Sequence, residues 1–237
     1  MHKDDYAAAV PFYDLWHEDG HVPTVRGLLP PLLTEVRRSV LEIGAGTGLI
    51  TELIARETPA EIYALEPSLG MRSVLVNRLA ADPSTMRRVT VLPYGALDVE
   101  VDEPVEAIVM ISVLQSFDAE ERAALWPVLA RQLERGGLLV FNWRERAEPV
   151  PGDLEVVGSY QVGRHTYEVA GQVLEAEGER VTSRFVYRIR QHGVVISEDE
   201  VVLTNHWPTR ERLVSELEAA GFTPDPAPDG MEVWRLP

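Results

Sequence analysis

From Ser39 onward, short apolar runs alternate with longer amphipathic ones. "SVLEI" has the length and branched residues of a buried strand, and "GLITELIARE" repeats its apolar positions at helical spacing. "EIYALE" and "SLGMRSVLVNRLA" repeat the strand-then-helix order, and "RVTVLPY" and "EAIVMISV" are further strands. "AEERAALWPVLARQLERGG" predicts an amphipathic helix that ends on glycines suited to a left-handed cap, with the strand "LLVFNW" after it. Such alternation calls for an α/β fold, a mostly parallel, doubly wound sheet covered on both faces.

After Trp143 the period drops to two. "TYEVAGQVLEAEGERVTSRFVYRIRQHGVVISEDEVVLTNHW" alternates in β fashion, with turn signals at Glu177-Gly178 and His192-Gly193. It predicts an antiparallel β meander inserted into, or laid across, the parallel sheet. The chain then returns through the helix "TRERLVSELEAAG" and the terminal pieces "FTPDP" and "MEVWRLP". Before Ser39, the aromatic stretch "YAAAVPFYDLWHEDGH" and a break at Pro30-Pro31 read as short helices lying over something. The expected divisions are a helical lid at 1–38, a ligand-binding core at 39–150, the inserted meander at 151–207 and a closing helix and strands at 208–237.

Composition narrows the chemistry. At 237 residues the chain can bury one α/β core with an added lobe, and its formal net charge of −16 disfavours partners held by their phosphates. Nucleic acid and anionic membrane are therefore excluded as expectations. The absence of cysteine removes disulfides, thiolate catalysis and the usual structural zinc sites, and no metal site is expected. No apolar run reaches membrane-spanning length, and "MHKDDYAAAV" is acidic where a signal peptide would be basic, so a cytoplasmic location is expected. Lys3 is the only lysine among many arginines, alanines and prolines, a bias that GC-rich codons produce.

The stretch "VLEIGAGTGLIT" sets three glycines between the first strand and the first helix. Dinucleotides favour G-x-G-x-x-G there, with a pyrophosphate on the helix N-terminus. Here Gly44, Gly46 and Gly48 give G-x-G-x-G, and Glu42 precedes them at the end of the strand. A carboxylate beside a pyrophosphate in a partly desolvated cleft is costly, whereas beside a cation it is favourable. S-adenosylmethionine offers a sulfonium, an ammonium and a ribose without phosphate, and Glu66 in "YALEPS" stands where a ribose acceptor belongs.

With "VLEIGAGTG", "ALEPSLGM" and "LERGGLLVF" together, the chain resembles the class I S-adenosylmethionine-dependent methyltransferases from about Ser39 to Trp143. The resemblance implies a Rossmann-like fold, with Gly44, Ala45, Gly46 and Gly48 along the methionine end, Glu66 and Pro67 at the ribose and Met71 on adenine. Gly95, Ala96 and Ile111 would complete the cofactor site. "PYGALD" places Ala96 where the family often has an aspartate for the adenine amine, and Asp98 falls too far along to replace it. Arg72 reads as a solvated helix residue.

The methyl acceptor belongs at the carboxyl ends of the strands. "FYDLWHED" resembles the lid of small-molecule methyltransferases, which puts Tyr13 near the cofactor, and the arrangement around "NHWPTRERLVSELEAAGF" resembles enzymes that modify antibiotic sugars, peptides and other natural products. N- or O-methylation of a small-molecule methyl acceptor is expected. His206, at the junction of meander and core, is the first candidate for handling a proton, with Tyr13, His17 and His21 as competitors; many family members carry histidine near Ser116, and this chain does not. The meander's edges could be covered by a second copy, giving a homodimer. Two alternatives are an S-adenosylmethionine-binding protein without methyl transfer and a dinucleotide-dependent oxidoreductase.

Overall fold

The computed structural model describes residues 6–237. The core is a seven-stranded sheet built from β1 (Ser39–Ile43), β2 (Glu61–Leu65), β3 (Val89–Leu92), β4 (Val105–Met110), β5 (Leu133–Asn142), β10 (Thr223–Asp225) and β11 (Met231–Arg235). Its order is β10-β11-β5-β4-β1-β2-β3; the first five strands in the chain run parallel, and β11 joins β5 antiparallel. The strand order reverses beside β1, so β1 and β4 diverge into their connections on opposite sides, which opens a crevice at their carboxyl ends.

Alternation along the strands divides the core. Val40, Ile62 and Val109 face α2 (Val22–Leu32), α3 (Leu49–Glu57) and α4 (Leu69–Ala80), while Leu41, Ile43, Ile108 and Phe141 face α6 (Ala119–Gln132) and α7 (Arg210–Ala219). α5 is the single turn Pro83–Met86. Sequence chemistry sets the helix starts: Asp118 and Glu121 form a capping box on α6, and the Thr209 hydroxyl accepts from Arg212 N–H at the start of α7.

The second sheet is the expected meander, a four-stranded antiparallel ladder of β6 (Glu155–Val162), β7 (His165–Glu177), β8 (Arg180–Gln191) and β9 (Val194–His206). α1 (Val10–Asp19) lies beneath it.

Three local expectations are corrected. Pro30 and Pro31 do not break the chain between helices; they occupy the last turn of α2, where they withdraw the donors that its i−4 carbonyls would use, and the helix ends one residue later at Leu32. α6 stops at Gln132 and not at the glycines. Leu133 already pairs with Val105, and the ladder resumes only at Leu138 opposite Ala107, so Gly136 and Gly137 lie in a bulge of β5. The turn expected at Glu177-Gly178 sits one residue later, because Glu177 still pairs with Arg180.

Candidate active site

After Ile43 the chain leaves β1 for α3 through the glycine loop. Gly44 and Ala45 each donate a backbone N–H to Leu65 O at 2.9 Å, which pins the loop to the end of β2. Gly44 has φ 71°, and a Cβ there would stand 2.1 Å from Val113 Cγ2. No other residue fits that position. Gly48 answers to a different neighbour: its Cβ would meet Leu75 Cδ1 at 2.5 Å, so it serves the contact of α3 with α4.

Glu66 organises the loop from the next strand. Its Oε2 accepts the Gly46 N–H at 2.8 Å and its Oε1 the Ser68 N–H at 2.7 Å. Arg72, expected as a solvated residue, donates to the carbonyls of Glu66 and Pro67 at 2.8 and 2.6 Å and so clips this turn from behind. Glu42 is buried, with Oε2 lacking any hydrogen-bond partner. Burial pushes its carboxyl up to about 7; the nearby Thr51 hydroxyl opposes that shift without reaching hydrogen-bond geometry, and the Glu66 charge adds to it.

A cavity of about 250 Å³ opens over this loop. Of the expected cofactor residues, Tyr13, Gly44, Gly46, Glu66, Pro67, Met71, Gly95 and Ala96 line it. Glu42, Ala45, Gly48 and Ile111 stand behind the wall, and neither Asp98 nor Arg72 reaches it. The remaining wall comes from Tyr6, Ile43 and Leu65, and from Ser112, Val113, Ser116 and Phe117 after β4. "MISVLQSF" marks that last segment in the sequence, but which of its residues turn inward depends on a backbone twist at Ser112 that periodicity does not reveal.

α1 closes one side. The Tyr13 hydroxyl lies 3.4 Å from where a Gly46 Cβ would be, so the ring crosses the loop. Burial, with the charges of Tyr6, Glu66, Asp14 and Glu42, raises its pKa and keeps it a phenol. His17 packs behind Tyr13 with ring centroids 4.1 Å apart, and its Nδ1 is 3.2 Å from His21 Nδ1. Burial, and then the His21 charge, hold His17 down to about 4, so it is neutral at working pH. Asp14 latches the helix to the loop by accepting from the Thr47 hydroxyl and from Arg78 Nη2, each at 2.5 Å. On its opposite face, Phe12 packs 5.1 and 5.2 Å from the rings of Tyr167 and Tyr187, and Trp16 packs 5.5 Å from Phe185.

His206 ends β9 opposite Arg180, near Asp118, and like His17 it does not line the cavity. The meander still reaches the rim, because β9 packs on the 3₁₀ turn Leu114–Ser116. Its base is held by Arg122, which is fully buried and donates to Glu179, to Glu216 of α7 and to the Phe117 carbonyl at 3.0, 3.0 and 3.1 Å.

The comparisons with known proteins bear on this crevice. Residues 40–137 match the model of a family described as a methyltransferase domain. Over that stretch the chain is similar to a methyltransferase domain. A search of curated proteins gives no match. Among solved structures, the chain superposes on DesVI of Streptomyces venezuelae with TM-score 0.76 at 21% identity, over 95% of this chain and 97% of that one. CalS10 of Micromonospora echinaspora, an amino pentose methyltransferase solved with S-adenosylmethionine, gives 0.74 at 17% identity over 100% and 98%. KedS8 of Streptoalloteichus, a sugar N-methyltransferase, gives 0.72 at 20% identity over 94% and 92%. At these identities the likeness is one of fold.

The family match over 40–137 favours a methyltransferase over the dinucleotide alternative. The residues of the crevice fit S-adenosylmethionine. The partnerless buried oxygen of Glu42 and the Glu66 carboxylate give the crevice the sign that a sulfonium and an ammonium require. No cluster of potential metal ligands occurs among the described residues, and no helix among them is long and apolar enough to cross a membrane.

Proposed function

We propose that this protein is a methyltransferase that N-methylates a small amine of the natural-product type, with the acceptor seated between the donor cavity, α1 and the meander. One observation carries the reading. Among the described residues lining the cavity, the only titratable groups are Tyr6, Tyr13 and Glu66. Tyr13 is held as a phenol, and the Glu66 carboxylate is bound to backbone N–H groups. An alcohol acceptor needs a base within reach, whereas an amine need only arrive unprotonated. The name of KedS8, a sugar N-methyltransferase of the same fold, supports the same class.

When bound, S-adenosylmethionine supplies an electrophilic methyl group. The chain's own residues align and enclose: the glycine loop and Glu66 fix the donor end, Met71 and Ala96 offer apolar packing, and Tyr13 and Tyr6 close the side facing α1. Alignment of this kind accounts for about 7–11 kcal/mol of a bimolecular barrier. α1 acts as the lid, held by the Asp14 latch. The meander roofs the acceptor, and its outer strands β6 and β9 leave Val156 and Ile196 more than half exposed, which supports pairing into a homodimer. Sedimentation as a monomer would remove that last part.

A second reading is O-methylation with His206 as base, favoured by its place at the junction of meander and core. One experiment separates the two. Matched amino and hydroxy sugars are incubated with enzyme and S-adenosylmethionine, and products are weighed. The amine should gain a methyl in both the parent and His206→Ala. Methylation of the hydroxy compound that disappears in His206→Ala would replace our reading with the second.

A further inference from the structure

Ser112 has φ 57°, and it shares positive φ with only one other non-glycine among the described residues, the hairpin residue His192. Left-handed backbone is costly for a residue with a side chain and persists where surroundings enforce it. Here two side chains do so. Asn142, the last residue of β5, accepts the Ser112 N–H through Oδ1 at 2.6 Å and donates through Nδ2 to Ser112 Oγ at 3.3 Å. Gln115 donates through Nε2 to the Ser112 carbonyl at 2.6 Å. The backbone amide, hydroxyl and carbonyl of one residue are all taken by amide side chains.

That twist determines the cavity wall. Ser112 and Val113 both line the cavity, and Val113 fills the space beside Gly44 where a side chain would otherwise go. Relaxing Ser112 to ordinary backbone would swing Val113 off the glycine loop and open the wall where the donor's methionine end belongs. We propose that Asn142 is a positioning residue for the methyl donor: it holds Ser112 in the left-handed conformation that seats Val113 against Gly44. It touches the donor site only through Ser112. The inference rests on the reading of this cavity as the donor site.

The test uses S-adenosylhomocysteine binding by calorimetry, which needs no acceptor, on four proteins: the parent, Asn142→Ala, Ser112→Gly and the double variant. Glycine adopts this φ without cost, so it removes the need for the clamp. Asn142→Ala should weaken binding at least about fivefold when made in the parent, within the about five- to thirtyfold range of left-handed strain, and less than about twofold when made on top of Ser112→Gly. A general loss of packing would penalise both backgrounds alike. A smaller loss in the parent, or a loss above twofold that persists with Ser112→Gly, overturns the proposal. Should Asn142→Ala not fold, Gln115→Ala is read against the same two backgrounds with the same thresholds. A parent that does not bind S-adenosylhomocysteine at all would sink the donor-site reading itself, a failure distinct from equal penalties in both backgrounds.

Discussion

The two sheets of this protein are held by different forces, and only one of them builds the donor site directly. β1 and β4 are buried almost throughout, and their register leaves no freedom because every second residue meets helices on one face or the other. The meander is half open. Its outer face carries cross-strand ion pairs, Arg184 with Glu200 and Arg188 with Glu168 and Glu198, while Val194 is 66% and Val202 52% exposed. The closed sheet tolerates little change and carries the cavity proposed for the donor. The open one tolerates much, and that freedom suits the acceptor-facing and pairing roles proposed for it.

Breaking the closed side should give the largest effect. Gly44→Val would force a branched side chain into Val113 and into a left-handed position, and S-adenosylhomocysteine affinity should fall by about a hundredfold or more, equivalent to ~3 kcal/mol. Calorimetry checks it, and an affinity within tenfold of the parent would detach the loop from the donor.

A middle effect is expected where the closed sheet buries a carboxyl. Glu42 has a folded pKa of about 7 against an ordinary value of 4.5. A carboxyl raised on folding binds its proton more tightly in the native state, so its contribution is present in full below pH 4.5 and is lost as pH rises through about 7. Glu42→Gln should therefore melt higher than the parent at pH 8 by a few degrees and about level with it near pH 4.5. Donor binding should move the other way: in the parent, affinity rises through pH 7 as the carboxylate forms, and in Glu42→Gln it stays flat. Parallel melting profiles would show that Glu42 is not the titrating group.

The smallest effect belongs to the open sheet. Arg184 and Glu200 meet at 2.6 Å with side chains 36% and 48% exposed, so Arg184→Ala should scarcely move the denaturant midpoint and leave donor affinity unchanged. A large fall in the midpoint would mean that the meander is as tightly constrained as the core.

What could be read in advance follows from distance along the chain. The glycine loop, Glu66, Met71 and the strand–helix alternation are local patterns, and the structure brings most of those residues to one cavity. Glu42 is instructive: its sign was legible, but its lack of a partner requires Thr51 and the whole β1 environment. The Asp14 latch joins residues 33 and 64 positions apart, and the Arg122 cluster reaches 94 positions to Glu216. No window of sequence contains either. Arg72 looked solvated because a helical period shows which face a residue occupies, not that a guanidinium can reach back to the carbonyls before its own helix. The early end of α6 was hidden for a related reason: the β5 bulge is set by pairing with β4 and by contacts of Gly136 and Gly137 with Leu236, far along the chain.

α1 has one consequence for turnover. Tyr13 and Asp14 hold it to the glycine loop, and Phe12 and Trp16 hold it to the meander. The helix cannot lift from one without shearing along the other. With the acceptor seated against the meander as proposed, a donor passing under α1 would have to enter first, and the spent donor would leave after the methylated molecule. The shared helix would then impose a compulsory order, donor on first and off last. Steady-state inhibition would register that order: S-adenosylhomocysteine would compete with S-adenosylmethionine at any acceptor concentration and never compete with the acceptor.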